Sequence, residues 1–120
     1  PIIEEADTLI IMNQPSYQKF KGMLKPNGLL LLNTSMIKVN NPPDATIYKV
    51  QATEIASKLG NVLVSNIVMM GAYLAIKKLF SANLILDQLQ GMLKGKKGDL
   101  FAINKKAFES GIQVIESTSR

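Results

Sequence analysis

The run Thr8-Leu9-Ile10-Ile11-Met12 is short, continuous and apolar, the pattern of a strand covered on both faces. Asn13-Gln14 follow, then Pro15, which suits the first turn of a helix because its missing N–H has no intrahelical partner there anyway. Tyr17, Phe20, Met23 and Leu24 recur at helical spacing with Lys19, Lys21 and Lys25 between them, so the spacing predicts an amphipathic helix. Pro26-Asn27-Gly28 is expected to stop that helix and make a turn, Gly28 being free to take a positive φ. Leu29 to Leu32 then reads as a second buried strand. Strand, helix and strand with short joints make a βαβ unit, and hence a parallel pair.

Farther along, Asn40-Asn41-Pro42-Pro43-Asp44 marks residues 36–45 as a loop, and Thr46 to Val50 reads as a third strand. Thr53 to Leu59 is a short helix closed by Gly60. Ile67 to Ile76 is apolar all round apart from Gly71; it is too short for a bilayer, which needs about 20 residues, and is expected to be a helix buried in the core. Lys77 and Lys78 complement its carboxyl end. Ser81 can cap a helix through Leu93, Gly95 to Gly98 form a basic loop, and Asp99 can cap a last helix to about residue 115. The fold class is therefore α/β: a layered, Rossmann-like, largely parallel sheet flanked by helices, with 120 residues giving one domain's worth of chain.

Composition narrows the chemistry. The chain has no Cys and no His, which excludes an iron–sulfur cluster held by its own thiolates, most zinc sites, and any Ser/His or Cys/His catalytic pair. The formal charge is +5. From Lys77 onward the basic residues Lys77, Lys78, Lys94, Lys96, Lys97, Lys105, Lys106 and Arg120 face only Asp87, Asp99, Glu109 and Glu116. No Tyr or Trp is interleaved with these lysines, so the stretch is read as a solvated face and no nucleic acid is expected as a partner. No signal peptide or membrane span is visible, and the expected compartment is the cytoplasm. The start at Pro1, running straight into an apolar-acidic stretch, suggests a longer product that has lost its beginning.

Asn13-Gln14 and Asn33-Thr34-Ser35 lie at the carboxyl ends of two predicted strands, the edge at which open α/β sheets bind ligands. Each also has a plain structural role available, capping a helix or making a turn. With Asn66 they are the ligand- or partner-facing candidates; no catalytic residue and no metal ligand is assigned. Gly71 with Ala72 lets another backbone come close, Met69-Met70 read as core filler, and Asn104 sits on the stripe Phe101, Asn104, Phe108, Gly111, Ile112, Ile115. Leu24-Lys25-Pro26-Asn27-Gly28-Leu29-Leu30 is similar to a turn of S-adenosylmethionine methyltransferases, but any Rossmann-like sheet could use it. Gly91 to Lys97 has the wrong spacing for a phosphate loop, with Lys96 where the second Gly should stand. No GxGxxG occurs, nor a Gly-Asp-Gly…Asn pattern for thiamine diphosphate.

Taken in order, these residues resemble the gamma subunit, or gamma domain, of 2-oxoacid:ferredoxin oxidoreductases. The resemblance is carried by Ala6-Asp7-Thr8-Leu9-Ile10 into Asn13-Gln14-Pro15, Lys19-Phe20, Leu24 to Gly28, Asn33-Thr34-Ser35, Asn66 with Met69 to Ala72, and Asn104, Ala107, Phe108 and Gly111. It spans nearly the whole chain. The structural motif residues are then Pro26, Gly28, Gly71, Asn104 and Gly111. That family starts with a further strand and a Gly-Gly-Gln-Gly-type turn, both absent here, so the resemblance implies a carboxyl-terminal portion. It also implies a complex that oxidatively decarboxylates a 2-oxoacid to an acyl-CoA with thiamine diphosphate, Mg, iron–sulfur clusters and coenzyme A. In that complex this chain would bind none of the cofactors and would contact the subunits that do, reaching ferredoxin only through them; alone it could form a homo-dimer. A methyltransferase-like domain and a non-catalytic interaction module are the alternatives.

Overall fold

Three parallel strands in the order β1-β2-β3 form the sheet of a computed structural model that describes residues 6–77 and 98–118. Strands β1 (Ala6–Ile11), β2 (Leu24–Asn33) and β3 (Thr46–Val50) overlap the three stretches read as strands, β2 beginning five residues before Leu29. Thr8 to Ile11 pair in register with Leu29 to Leu32, and Leu29 to Asn33 with Thr46 to Val50. Leu29 to Leu32 are all buried, as a central strand of a parallel sheet requires. The described residues divide between Gln51 and Ala52 into two compact units.

In the first unit, helix α1 (Gln14–Phe20) follows β1. It ends earlier than the spacing predicts: Lys21–Met23 form a single 3₁₀ turn, and Leu24 is already extended in β2. Leu24 pairs opposite Ala6 and packs beside the buried Ile11, Tyr17, Leu30, Leu32 and Ile37, so it reaches the core from a strand, not from the helix. Pro26-Asn27-Gly28 consequently does not stop the helix. It lies inside β2, where the ladder is interrupted between the Ala6–Leu24 and Thr8–Leu29 pairs, the one place where a proline without an N–H is harmless. Asn27, not Gly28, takes the left-handed conformation, with φ 63. Lys25 Nζ lies 3.3 Å from Asp7 Oδ1 across this irregularity, an exposed ion pair of small worth.

The second unit begins with α2 (Ala52–Leu59). Gly60, at φ 103, donates its N–H to Ser57 O at 3.0 Å while Asn61 N–H bonds Ala56 O at 3.1 Å, a helix stop that satisfies the last carbonyls. Asn61 Oδ1 then accepts from Leu63 N–H at 2.9 Å and starts a 3₁₀ turn, Val62–Val64, that leads into α3 (Ser65–Lys77). The last helix, α4, spans Gly98–Thr118. The predicted Ser81–Leu93 helix, Lys78 and the basic residues before Gly98 lie outside the described residues.

Helix α3 is not buried all round, as its apolar sequence suggests. Ser65, Val68, Met69, Gly71 and Ala72 are buried, whereas Ile67, Met70 and residues 73–76 are half-buried and Asn66 and Lys77 exposed. The buried face is the one with small residues, and the reason is backbone contact with α4. A Cβ placed on Gly71 would stand 2.2 Å from Phe108 O, and one on Gly111 would stand 1.9 Å from Val68 O. The two glycines are reciprocal, each receiving the other helix's backbone. Ala107, Phe108 and Ile115 complete the buried face of α4, with Asn104 half-buried on the same helix.

Candidate functional site

The carboxyl ends of the strands are built from neutral hydrogen-bonding side chains that hold the chain's own backbone. Asn13 caps α1, its Oδ1 accepting from Ser16 N–H at 3.0 Å. Asn33 is 1% exposed, and its Nδ2 donates to Met12 O at 3.1 Å, so the end of β2 is tied to the end of β1. Thr34 N–H donates to Val50 O at 2.9 Å, and Met36 N–H closes a turn onto Asn33 O at 3.0 Å. Thr34 and Ser35 are half-buried within that turn. These five predicted residues — Asn13, Gln14, Asn33, Thr34 and Ser35 — thus share one edge of the first unit. Asn66 belongs to the second unit and is an exposed residue of the first turn of α3.

Gln14 does something the sequence did not suggest. Its amide grips the backbone of Lys38, accepting from Lys38 N–H and donating from Nε2 to Lys38 O at 3.2 Å, the two bonds a strand neighbour would make. One and two turns farther along α1 the pattern repeats on Asn40. The buried Tyr17 hydroxyl donates to Asn40 O at 2.8 Å, Lys21 Nζ donates to the same carbonyl at 3.1 Å, and Gln18 Nε2 donates to Asn40 Oδ1 at 3.0 Å. Lys21 Nζ also lies 5.0 Å from the centre of the Tyr17 ring. Burial pushes the Tyr17 phenol above its ordinary range, which keeps it a donor. The signal for this cluster was present as Gln14, Tyr17, Gln18 and Lys21 at helical spacing, ahead of an Asn-rich loop.

The second unit carries an open groove lined by Ile55, Ser110, Gln113, Val114, Ser117 and Thr118. Two of its hydroxyls are turned back on their own helix: Ser110 Oγ donates to Lys106 O and Thr118 Oγ1 to Val114 O, both at 2.7 Å. Among the described residues no group of His, Cys, Asp or Glu could hold a metal ion, and no helix is long and apolar enough to cross a membrane. The residues do not fit an iron–sulfur cluster either, since the sequence holds no thiolate donor.

Fold and edge together define a parallel α/β module whose strand-end amides are engaged with the module's own backbone. The chain belongs to the pyruvate ferredoxin/flavodoxin oxidoreductase family, whose sequence model matches residues 1–114. It is 32% identical to the 2-oxoglutarate synthase subunit KorC of Methanocaldococcus jannaschii, over 97% of this chain and 62% of that protein. It is 27% identical to the ketoisovalerate oxidoreductase subunit VorA of Methanothermobacter marburgensis, over 92% of this chain and 23% of that protein. Among solved structures, the keto/oxoacid ferredoxin oxidoreductase gamma subunit of Geobacter sulfurreducens superposes with a TM-score of 0.80 at 23% identity, over 93% of this chain and 65% of that one. The 2-oxoglutarate:ferredoxin oxidoreductase of Magnetococcus marinus gives a TM-score of 0.81 at 21% identity, over 92% of this chain and 20% of that one. The chain therefore spans less than two thirds of the length of each of these relatives. The α/β fold class read from the sequence agrees with these structures, and the comparisons favour the oxidoreductase reading over the methyltransferase-like and non-catalytic alternatives.

Proposed function

We propose that this chain is the gamma-type part of a 2-oxoacid:ferredoxin oxidoreductase complex that oxidatively decarboxylates a 2-oxoacid to an acyl-CoA. Its share of the work is scaffold and subunit contact. Thiamine diphosphate with its Mg, the iron–sulfur clusters and the thiol chemistry of coenzyme A reside on other subunits, and ferredoxin meets the complex through them. The complex works in the cytoplasm. The observation that carries this reading is the make-up of the strand-end edge: the side chains of Asn13, Gln14 and Asn33 hold backbone groups of the same unit, and the sequence offers no imidazole or thiol to move a proton or attack a carbonyl. Asn13, Gln14, Asn33, Thr34, Ser35 and the exposed Asn66 are then residues that shape or face subunit contacts.

Purification of the native complex through a tag on this chain tests the proposal. Co-purifying subunits with thiamine and ferredoxin-type motifs, and 2-oxoacid-dependent reduction of ferredoxin that requires coenzyme A, are the expected result. Recovery without such subunits would overturn it. Taken alone, the chain is expected to associate at least as a homo-dimer, because β1 is an edge strand among the described residues and Ile10 on it is 43% exposed. Sedimentation equilibrium giving a monomer at high protein concentration would count against that.

A further inference from the structure

Parallel strands need a crossover, and that crossover is usually a helix. Between β2 and β3 it is instead a segment with neither helix nor strand. Ile37 is buried and Val39 half-buried, both packed with Tyr17, Leu30 and Leu32, while Lys38 and Asn40 are exposed. The side-chain hydrogen bonds described for this segment come from α1 and the 3₁₀ turn after it: Gln14 holds Lys38 through both backbone groups, and Tyr17, Gln18 and Lys21 converge on Asn40. The ends are fixed differently. Thr34 and Met36 are tied into the sheet edge at one end, and Thr46 is paired opposite Leu29 at the other.

We propose that residues 36–45 are a strap that opens and closes against α1 as one unit while the sheet stays folded, and that Gln14, Tyr17, Gln18 and Lys21 are its latch. The side chains of Gln14, Gln18 and Lys21 are partly or fully solvated, so each of their bonds can be exchanged for water at small net cost, and the main cost of opening is the uncovering of the buried Ile37 and Tyr17. The ladder of Leu30 to Leu32 is buried on the central strand and opens only with the sheet. Because the strap leaves the sheet at the Asn33–Met36 turn, its release changes the strand-end edge, where an open α/β sheet meets what it binds. Asn40 is thus connected to that edge through the few residues that separate it from Met36.

Amide hydrogen exchange on the full chain, followed by NMR, tests the strap. The reporter is the Lys38 amide, which is bonded to Gln14 and not to Tyr17 or Lys21. Tyr17→Phe removes only the hydroxyl that holds Asn40, and Lys21→Met only the ammonium. In a strap that moves as one unit, each speeds exchange at Lys38 by roughly threefold to tenfold, the loss of one ordinary hydrogen bond, and leaves the Leu31 amide unchanged. Lys38 exchange unaffected by both variants would mean independent bonds and no common latch. Equal acceleration at Lys38 and Leu31 would mean that the segment opens only when the sheet unfolds, and either result overturns the proposal. Lys21→Met alters a side chain outside the core, so it keeps the test alive should Tyr17→Phe destabilise the fold.

Discussion

Replacing Gly111 by alanine is a test of sign. In a helix interior, Gly→Ala ordinarily stabilises by about 0.5–1 kcal/mol, since alanine loses less backbone entropy on folding. Here the new Cβ would stand 1.9 Å from Val68 O, 2.8 Å from Ala72 N and 2.9 Å from Val68 C. The obstacles are backbone atoms, and no rotamer change clears them. Ordinary contact begins near 3.4 Å, so α3 and α4 must part locally by about 1.5 Å. A gap of even about 0.5–1 Å forfeits a quarter to a half of a van der Waals well, and the side chains that would feel it include the buried Val68, Ala72, Ala107 and Phe108. Overpacking costs about 1–3 kcal/mol where side chains can yield. With backbone on the other side the cost is at the upper end, and the net effect after the propensity gain is about 2 kcal/mol or more of destabilisation. Urea slopes for small proteins are about 1–3 kcal/mol per molar, so the midpoint falls by roughly 1 M. Gly22→Ala is the control, because nothing lies within 4 Å of its would-be Cβ; its midpoint stays level or rises slightly. Gly71→Ala meets Phe108 O at 2.2 Å and behaves as Gly111→Ala does; the double variant loses less than the two single losses together, since one separation of the helices relieves both clashes. A Gly111→Ala midpoint above that of the unmodified chain would refute the close approach of α3 and α4.

Asn33→Ala lowers stability by about 1–3 kcal/mol, because Met12 O loses its buried donor, whereas Asn13→Ala loses a helix cap worth about 0.5–2 kcal/mol; thermal unfolding of the two variants should rank them in that order. Tyr17 has its folded-state pKa raised by burial, so its contribution is complete below its ordinary value near 10 and is lost as pH rises through the folded value; urea midpoints falling above about pH 10 in the native chain, and falling less in Tyr17→Phe, would show it. The purified chain is expected to show no iron–sulfur absorbance after anaerobic reconstitution with iron and sulfide, since it offers no thiolate. A visible cluster spectrum would contradict this.

How much of this was legible in sequence depends on the range of the interaction concerned. The strand at Leu29 to Leu32 was readable because burial on both faces writes itself as an unbroken apolar run; Thr8 to Met12 carries the same pattern although Ile10 is exposed, and Thr46 to Val50 was readable from its alternation. The stop at Gly60 was readable because a left-handed residue after a helix is a local requirement. The end of α1 was not. Met23 and Leu24 continue the helical spacing, and only pairing with β1, which local pattern does not contain, puts Leu24 in the sheet. The error on Gly28 has the same origin: once the chain is extended through this stretch, the tight conformation moves to Asn27, the other residue type that tolerates it. For α3 the composition gave the right element and an overstated burial, since an apolar residue on a helix says that it can be covered, not that it is.

The strand-end edge shows why its polar residues were ambiguous one by one. An amide at the end of a strand can face a ligand, cap a helix or hold a loop, and the sequence pattern for all of these is the same. Three-dimensional placement separates them by asking which backbone groups lack another partner. Met12 O, the last carbonyl before the chain turns into α1, takes Asn33 Nδ2. Lys38, in a crossover without a strand neighbour, takes Gln14 at both its N–H and its C=O. Asn40 O, one step farther, takes the Tyr17 hydroxyl and the Lys21 ammonium. The Lys38 and Asn40 groups belong to a crossover that is not a helix, and side chains of the preceding segment supply the partners that a helix would supply to itself. A helical crossover would satisfy its own backbone and leave the polar face of α1 idle. The strap therefore accounts for Gln14, Tyr17, Gln18 and Lys21 in one step, and it predicts that these side chains change together: a relative in which the crossover is helical has no need of Gln14, Gln18 or Lys21 at these positions.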